Sequence, residues 1–271
     1  MIDLKDFKQT GYAVIKDWLS ESEIQQFIED FETQEQTSNE NYNIKCASHR
    51  ILKSFKPRIL EVCNAVNLVK GGNIDLIMPS DPSNMYAESS LGWGWHQEHE
   101  PQCMLQDLNN YINLWIVLIK EDSDLSGLSI IPTNKILEAI PQKDHELLFG
   151  EAAKNYIPEE DITYVKVLRE EPVVTIPFNI NTLAVSPSVS PGDVILLDGK
   201  TIHRTQDSHK KRLALSIRCI DGSTQLIYHK YFPEGEKSQI IKNNKKTYDT
   251  IKQSFNGKET STVREIFKGG V

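Results

Sequence analysis

At 271 residues, with 39% hydrophobic and 25% charged side chains, the chain has an ordinary soluble, globular composition and the length to bury a core without disulfide staples. A net charge of −8 argues against the clustered Lys and Arg surface that nucleic acid requires, and the longest apolar run, Leu114 to Ile119, is far too short to span a bilayer. The four cysteines (Cys46, Cys63, Cys103, Cys219) form no CxxC pair and the N-terminus carries no signal-peptide core, so the expectation is a cytoplasmic protein with reduced thiols.

Residues 11–16 read as a short strand. Ser20 followed by Glu23 is a capping-box signature, and Ile24, Phe27, Ile28 and Phe31 recur at helical spacing, so residues 21–34 are expected to be an amphipathic helix. Residues 35–43 are polar and read as a loop. Helical periodicity returns from Ile51 to Val69, interrupted at Pro57 and stopped by Gly71-Gly72.

From residue 73 the period changes. NIDLIMP and WHQE read as strands on either side of a long loop, SDPSNMYAESSLGWG. Tyr111–Lys120 is the strongest strand pattern in the chain, followed by Gly127–Pro132. Residues 133–160 are partly helical, and 161–190 mix short strand-like runs (TYVKVL, PVVTIP, TLAVS) with turns. The turn Pro191-Gly192-Asp193 leads into a strand at Val194–Leu197, another follows at Leu213–Ile220, and a last at Gln225–Tyr231. The tail from 236 is polar, with a helix expected over KNNKKTYDTIKQSF. Helices first and then many antiparallel-style strands point to an α+β domain with a β-sandwich or barrel core.

The chemistry gathers at Trp93-Gly94-Trp95-His96-Gln97-Glu98-His99. On a strand, residues i and i+2 share a face, so His96 and Glu98 project together and can grip one metal ion. A mononuclear iron site of the two-His-one-carboxylate type needs one further His. Among His49, His99, His145, His203, His209 and His229, His203 has the best setting, following a turn, an apolar strand and a short polar loop, at a strand's exit. His99 faces away from the His96–Glu98 side. His145 reads as an exposed helix residue and His209 as a solvated loop residue. Arg212 opens a strand whose Arg212, Ala214, Ser216 and Arg218 share a face, and an Arg beside an iron site suggests a carboxylate co-substrate.

With these residues in hand, HQE, then PGDVILL-DG-xxxHRTQD, then RLALSIR resembles the iron(II)- and 2-oxoglutarate-dependent dioxygenases of the phytanoyl-CoA dioxygenase-like superfamily. NLWIVLIKEDSDLSGLSIIP and the opening GYAVIKDWLSESEI are similar to segments of that family, and together these stretches cover most of residues 10–222. The resemblance implies a double-stranded β-helix, the jelly-roll or cupin-like barrel, in a single domain of residues 1–271. Its parts would be a helical layer over 1–72 packed on the sheet, a barrel core over 73–231 with a long insertion at 133–190, and a polar tail over 232–271. It implies His96, Glu98 and His203 as ligands of Fe(II), with 2-oxoglutarate and O2 as co-substrates. Arg212 would hold the distal carboxylate of 2-oxoglutarate with help from Ser216, and Asn113 and Trp115 would line its pocket. Tyr86, Trp93 and Trp95 are candidates for the substrate wall, although the two tryptophans equally suit a plug at the barrel's end.

Three features depart from the family pattern. The carboxylate is Glu98 rather than the commoner Asp, IIPTNK lacks the usual Gly-Ser-His after the Pro, and Arg212 lies slightly closer to His203, with Arg218 as the fallback anchor. The expected reaction is hydroxylation of an unactivated C–H bond in a small molecule, an amino acid or a natural-product intermediate, with release of succinate and CO2. A carboxylate at position 98 favours this over halogenation. The expected protein is a monomer or homodimer that binds neither membrane nor nucleic acid. The alternatives are a non-oxidative cupin-type metalloenzyme, which would not need Arg212, or an inactive ligand-binding member of the fold, which would be expected to have lost a ligand.

Overall fold

The computed structural model describes residues 4–33, 47–66, 94–98, 111–122, 124, 125, 127–150, 154–167, 172–206, 210–231, 249 and 252–266, together with the backbone of strands at 36–38, 43–45, 74–76 and 81–85. A short helix α1 (Phe7–Thr10) leads through Gly11 into β1 (Tyr12–Ile15) and then α2 (Glu21–Thr33). Two short strands follow, β2 (Gln36–Ser38) and β3 (Asn43–Lys45), in a stretch whose polarity predicts a loop. The helix α3 (His49–Ala65) runs on through Pro57 rather than breaking there. Pro57 is exposed, so water can serve the carbonyl that loses its N–H partner.

The main sheet is antiparallel. Its strands are β1, β2, β3, β4 (Ile74–Leu76), β5 (Asp81–Met85), β6 (Tyr111–Lys120), β11 (Val194–Asp198) and β13 (Arg212–Asp221), in the order β1-β11-β6-β13-β5-β3-β2 with β4 also paired to β13. Strand alternation splits its residues cleanly between two environments. Ile112, Leu114, Ile116 and Leu118 of β6, with Val194 and Leu196 of β11 and Leu213, Leu215 and Ile217 of β13, pack against Phe27, Phe31, Phe55, Ile59 and Val62 of α2 and α3. Cys63 and Cys219 meet in this layer as free, buried thiols, and the Cys219 thiol is pushed up by its contact with Cys63 and by burial. The opposite face presents Trp115, Val117, Ile195, Leu197 and Ala214, which pack with Leu128 and Ile130 of β7 (Leu128–Ile131).

That packing joins the main sheet to a second set of strands. β7 pairs with β12 (Ile202–Thr205), and β8 (Lys154–Pro158), β9 (Thr163–Val167) and β10 (Pro172–Ile176) form a three-stranded antiparallel sheet. His96 bridges the two, paired with His203 of β12 on one side and Asn155 of β8 on the other. The far face of this second layer packs Trp95, Ile131, Tyr156, Val165, Ile176 and Ile202 against Ile136, Ile140 and Leu148 of two short helical segments. A small pair, β14 (Gln225–Ile227) with β15 (Thr260–Thr262), completes the described strands.

Several sequence expectations change here. The strand expected over Gln225–Tyr231 stops at Ile227 and continues as a 3-10 turn over Tyr228–Tyr231. The run TLAVS is no strand; a 3-10 turn at Ile180–Leu183 occupies its start, capped by the Asn179 side chain on the Asn181 N–H. Asp81–Met85 is a strand where a long loop is expected, because its backbone finds β13 and β3 as partners. Most of the tail helix expected over 241–255 lies outside the described residues.

The capping box at α2 forms as its residues predict. Glu23 accepts from the Ser20 N–H at 2.8 Å and its own N–H donates to Ser20 Oγ at 3.4 Å. Arg58 of α3 then binds the same carboxylate at 2.8 Å, tying the two helices together. That hydrogen bond from Arg58 leads the causes that hold the Glu23 carboxyl down at about 2. A depressed carboxyl stabilises the fold above its ordinary value and loses that contribution as pH falls towards the folded one. Glu23→Gln should therefore lower Tm near pH 7 by roughly 2–4 °C, the effect of about 1 kcal/mol in a partly exposed pair. The gap from wild type should close as thermal melts are taken down from pH 4.5 towards 2.

Candidate metal centre

His96 and His203 form a hydrogen-bonded antiparallel pair. Each backbone N–H donates to the other's carbonyl, at 2.9 and 3.0 Å. Opposed residues share a face, so both imidazoles rise on the same side, their ring centroids 4.4 Å apart. His203 thus stands on a strand of its own, β12, rather than at a strand's exit. Register also fixes which side this is. The partner of His203 in β7 is Ile130, which packs against the main sheet, so the imidazoles face the space between the two layers.

The ring tautomers follow from the backbone. His96 Nδ1 lies 2.7 Å from the Gly94 carbonyl and His203 Nδ1 lies 3.0 Å from the Thr201 carbonyl. A carbonyl only accepts, so each Nδ1 carries the proton and donates, and each Nε2 keeps its lone pair. That is the tautomer a metal-ligating imidazole needs. Glu98 brings the charge: Oε1 sits 3.7 Å from His203 Nε2, with the residue only 5% exposed.

A hydrogen-bond chain positions that carboxylate. Asn113 of β6 donates from Nδ2 to Glu98 Oε1 at 2.6 Å, and Asn113 Oδ1 accepts from Ser216 Oγ of β13 at 2.8 Å. Arg218, directly opposite Asn113 in the β6–β13 ladder, places Nε 4.0 Å from Glu98 Oε2. The donor set is right for a divalent metal, but the side chains are not closed on one point. Among the described residues, no three His, Cys, Asp or Glu side chains gather tightly enough to hold an ion outright. Glu98 Oε1, the oxygen that accepts from Asn113, is also the one nearest His203.

Arg212 lies at the other end of the same face of β13, only 3% exposed. Its ladder partner is Lys120, whose ammonium donates to the Val189 carbonyl at 2.9 Å and whose pKa is lowered, chiefly by burial. The sheet therefore carries two neighbouring cations facing inward, an arrangement that favours an anion between the layers. Lys120 is invisible to sequence reasoning, because a terminal Lys on an apolar strand reads as a solvated end.

Trp95 is placed away from this space. It is 3% exposed in the far-side core, its indole N–H donates to Asn181 Oδ1 at 2.9 Å, and the Arg204 guanidinium stacks 5.2 Å from its ring centroid. The strand expected over WHQE reduces to isolated bridges at His96, and its neighbour Gln97 is held by hydrogen bonds to the Leu148 and Lys200 carbonyls. Tyr86, Trp93, His99 and His209 lie outside the described residues. His145 opens a short helix as expected but is half-buried rather than exposed, its Nε2 lying 3.1 Å from the Leu137 carbonyl and 3.3 Å from the Ile140 carbonyl.

No family model matches the sequence, and no curated protein matches it significantly. Solved structures do share its fold. The non-heme alpha-ketoglutarate-dependent carbocyclase SnoK from nogalamycin biosynthesis superposes with a TM-score of 0.54 at 16% identity, over 81% of this chain and 83% of SnoK. EctD from S. alaskensis in its apoform gives 0.54 at 16% identity, over 85% and 79%. HygX from Streptomyces hygroscopicus, crystallised with nickel and 2-oxoglutarate, gives 0.51 at 11% identity, over 80% and 85%. Among the described residues no helix is long and apolar enough to cross a membrane.

Proposed function

We propose that the chain is an Fe(II)- and 2-oxoglutarate-dependent oxygenase on a double-stranded β-helix, a cytoplasmic monomer or homodimer that hydroxylates an unactivated C–H bond of a small molecule. The observation that carries this reading is the cross-strand pair of imidazoles, both turned by backbone carbonyls to offer Nε2 beside a buried carboxylate. His96, His203 and Glu98 would hold the metal. When bound, it supplies oxygen activation coupled to decarboxylation of 2-oxoglutarate to succinate and CO2. The likeness to SnoK, named as alpha-ketoglutarate dependent, and to HygX, crystallised with nickel and 2-oxoglutarate, supports the same assignment.

The chain's own residues divide the remaining work. Arg212, with Lys120 beside it, receives the distal carboxylate of 2-oxoglutarate, and Trp115, opposite Ser216 in the ladder, shapes the floor between them. Asn113 is bonded to Glu98 and Ser216 to Asn113, so we assign them to orienting the ligand carboxylate rather than to the co-substrate. Trp95 serves packing on the far face of the second layer, and neither lines the pocket nor plugs the barrel's end. A non-oxidative metalloenzyme would have no use for a guanidinium buried at Arg212.

Anaerobic titration of the Fe(II) protein with 2-oxoglutarate tests this reading. A weak visible charge-transfer band and succinate production in air are expected. Absence of the band, with no succinate formed with or without candidate substrates, would overturn it. Asn113→Ala should weaken Co(II) binding by about 10- to 100-fold in a spectroscopic titration, the usual cost of losing the group that orients a ligand, while Asn113→Gln should recover part of it.

A further inference from the structure

The sheet register continues the row of imidazoles beyond the metal centre. His203 pairs with His96, His96 with Asn155, and Asn155 with Lys166, so these four side chains stand in one line on one face. Strands lie about 4.8 Å apart, which puts the Lys166 backbone about 10 Å from His96. The adjacent row along β8 and β9 is Ile157 opposite Tyr164, continued by Thr175 on β10. The other face of these strands is filled by Tyr156, Val165 and Ile176 in the core. On the near face Asn155, Tyr164 and Lys166 are half-buried, and Ile157 is 43% exposed, one of the few exposed large apolar side chains among the described residues. Among the described residues Lys166 has no carboxylate partner. The acidic β8–β9 turn (Glu159, Glu160, Asp161) lies beyond the start of β9, its nearest residue five positions from Lys166, roughly 17 Å at about 3.3 Å per residue.

We infer that this face of β8 and β9 is the substrate platform of the proposed oxygenase, and that its substrate is a small acid. An oxyanion meets the Lys166 ammonium, the apolar or aromatic part lies on Ile157 and Tyr164, and the carbon to be oxidised reaches back past Asn155 to the His96 side. The inference rests on the proposed metal site for its reaction, but its binding claim stands on register and charge. It also separates two anion sites on opposite layers: Arg212 and Lys120 for the co-substrate, Lys166 for the substrate.

The test uses 4-phenylbutanoate and its uncharged amide as probes, with Mn(II)-loaded full-length protein and saturating 2-oxoglutarate so that the Arg212 site is filled. Ligand-observed proton NMR reads both affinity and paramagnetic broadening. The acid is expected to bind about fivefold more tightly than the amide, as one partly exposed ion pair allows. Its phenyl protons should broaden more than those beside the carboxylate. Lys166→Gln should erase the preference and Lys166→Glu should reverse it, with Mn(II) affinity unchanged in both. Equal binding of acid and amide, a preference that survives Lys166→Gln, or no binding of the acid at millimolar concentration would overturn the platform while leaving the metal site standing. Loss of Mn(II) binding by the wild-type protein would instead overturn the metal site.

Discussion

His203→Ala is expected to abolish metal binding and all succinate production while leaving the protein folded. The two consequences come from different parts of the residue. The backbone of His203 makes the paired hydrogen bonds to His96, and alanine keeps them. The imidazole supplies one of two Nε2 lone pairs in a site with a single carboxylate, and its loss leaves a donor set too small for a stable divalent complex. The affinity loss should exceed the roughly 100-fold that a supporting hydrogen bond is worth. Stability should fall by only about 1–3 kcal/mol, from a small cavity and a Thr201 carbonyl that loses its donor. Co(II) titration followed by its visible spectrum reads the first effect, and a urea melt of metal-free protein reads the second. His96→Ala should match it, whereas His145→Ala, which removes contacts to the Leu137 and Ile140 carbonyls, should leave the Co(II) spectrum untouched. A His203→Ala protein that takes up Co(II) with wild-type affinity would remove the metal centre from this face of the sheet.

The part of this site legible in the sequence is the part set by alternation. Alternation along RLALSIR puts Arg212, Ala214, Ser216 and Arg218 on one face, and in the fold the intervening Leu213, Leu215 and Ile217 are the residues that pack on the helices; Asn113 and Trp115 came only with the family resemblance. The capping box of α2 was likewise written in four consecutive residues. What the pattern could not convey is anything decided by cross-strand register. Asn113 opposite Arg218, both reaching Glu98, joins residues from three distant segments, and no local signal relates them. The same is true of the line from His203 through Asn155 to Lys166, whose strands fall in a stretch that reads only as a mixed insertion. Trp95 shows the limit differently. A Trp beside a metal-ligand pattern suits a pocket wall and a core equally, and only the partners Asn181 and Arg204 decide between them.

Arg212→Ala should raise the KM for 2-oxoglutarate by about 30- to 1000-fold with a far smaller change in kcat. The range corresponds to about 2–4 kcal/mol, within what is lost when one partner of a buried, hydrogen-bonded charge pair is truncated. The distal carboxylate takes no part in bond making, so its anchor contributes equally to ground and transition states and appears in KM. Because Arg212 is buried, salt should screen the interaction weakly. Arg212→Lys should recover only part of the affinity, since an ammonium cannot give two parallel hydrogen bonds to one carboxylate. Arg218 provides the discriminating comparison. It sits six residues along β13, roughly 20 Å at about 3.3 Å per residue, and faces Glu98 instead of the Lys120 end of the ladder. Arg218→Ala should therefore alter metal affinity, by freeing Glu98 Oε2, and leave the 2-oxoglutarate KM measured at saturating metal near its wild-type value. If the two phenotypes come out exchanged, Arg218 is the anchor, and the shorter span from His203 to Arg212 has carried Arg212 past the co-substrate.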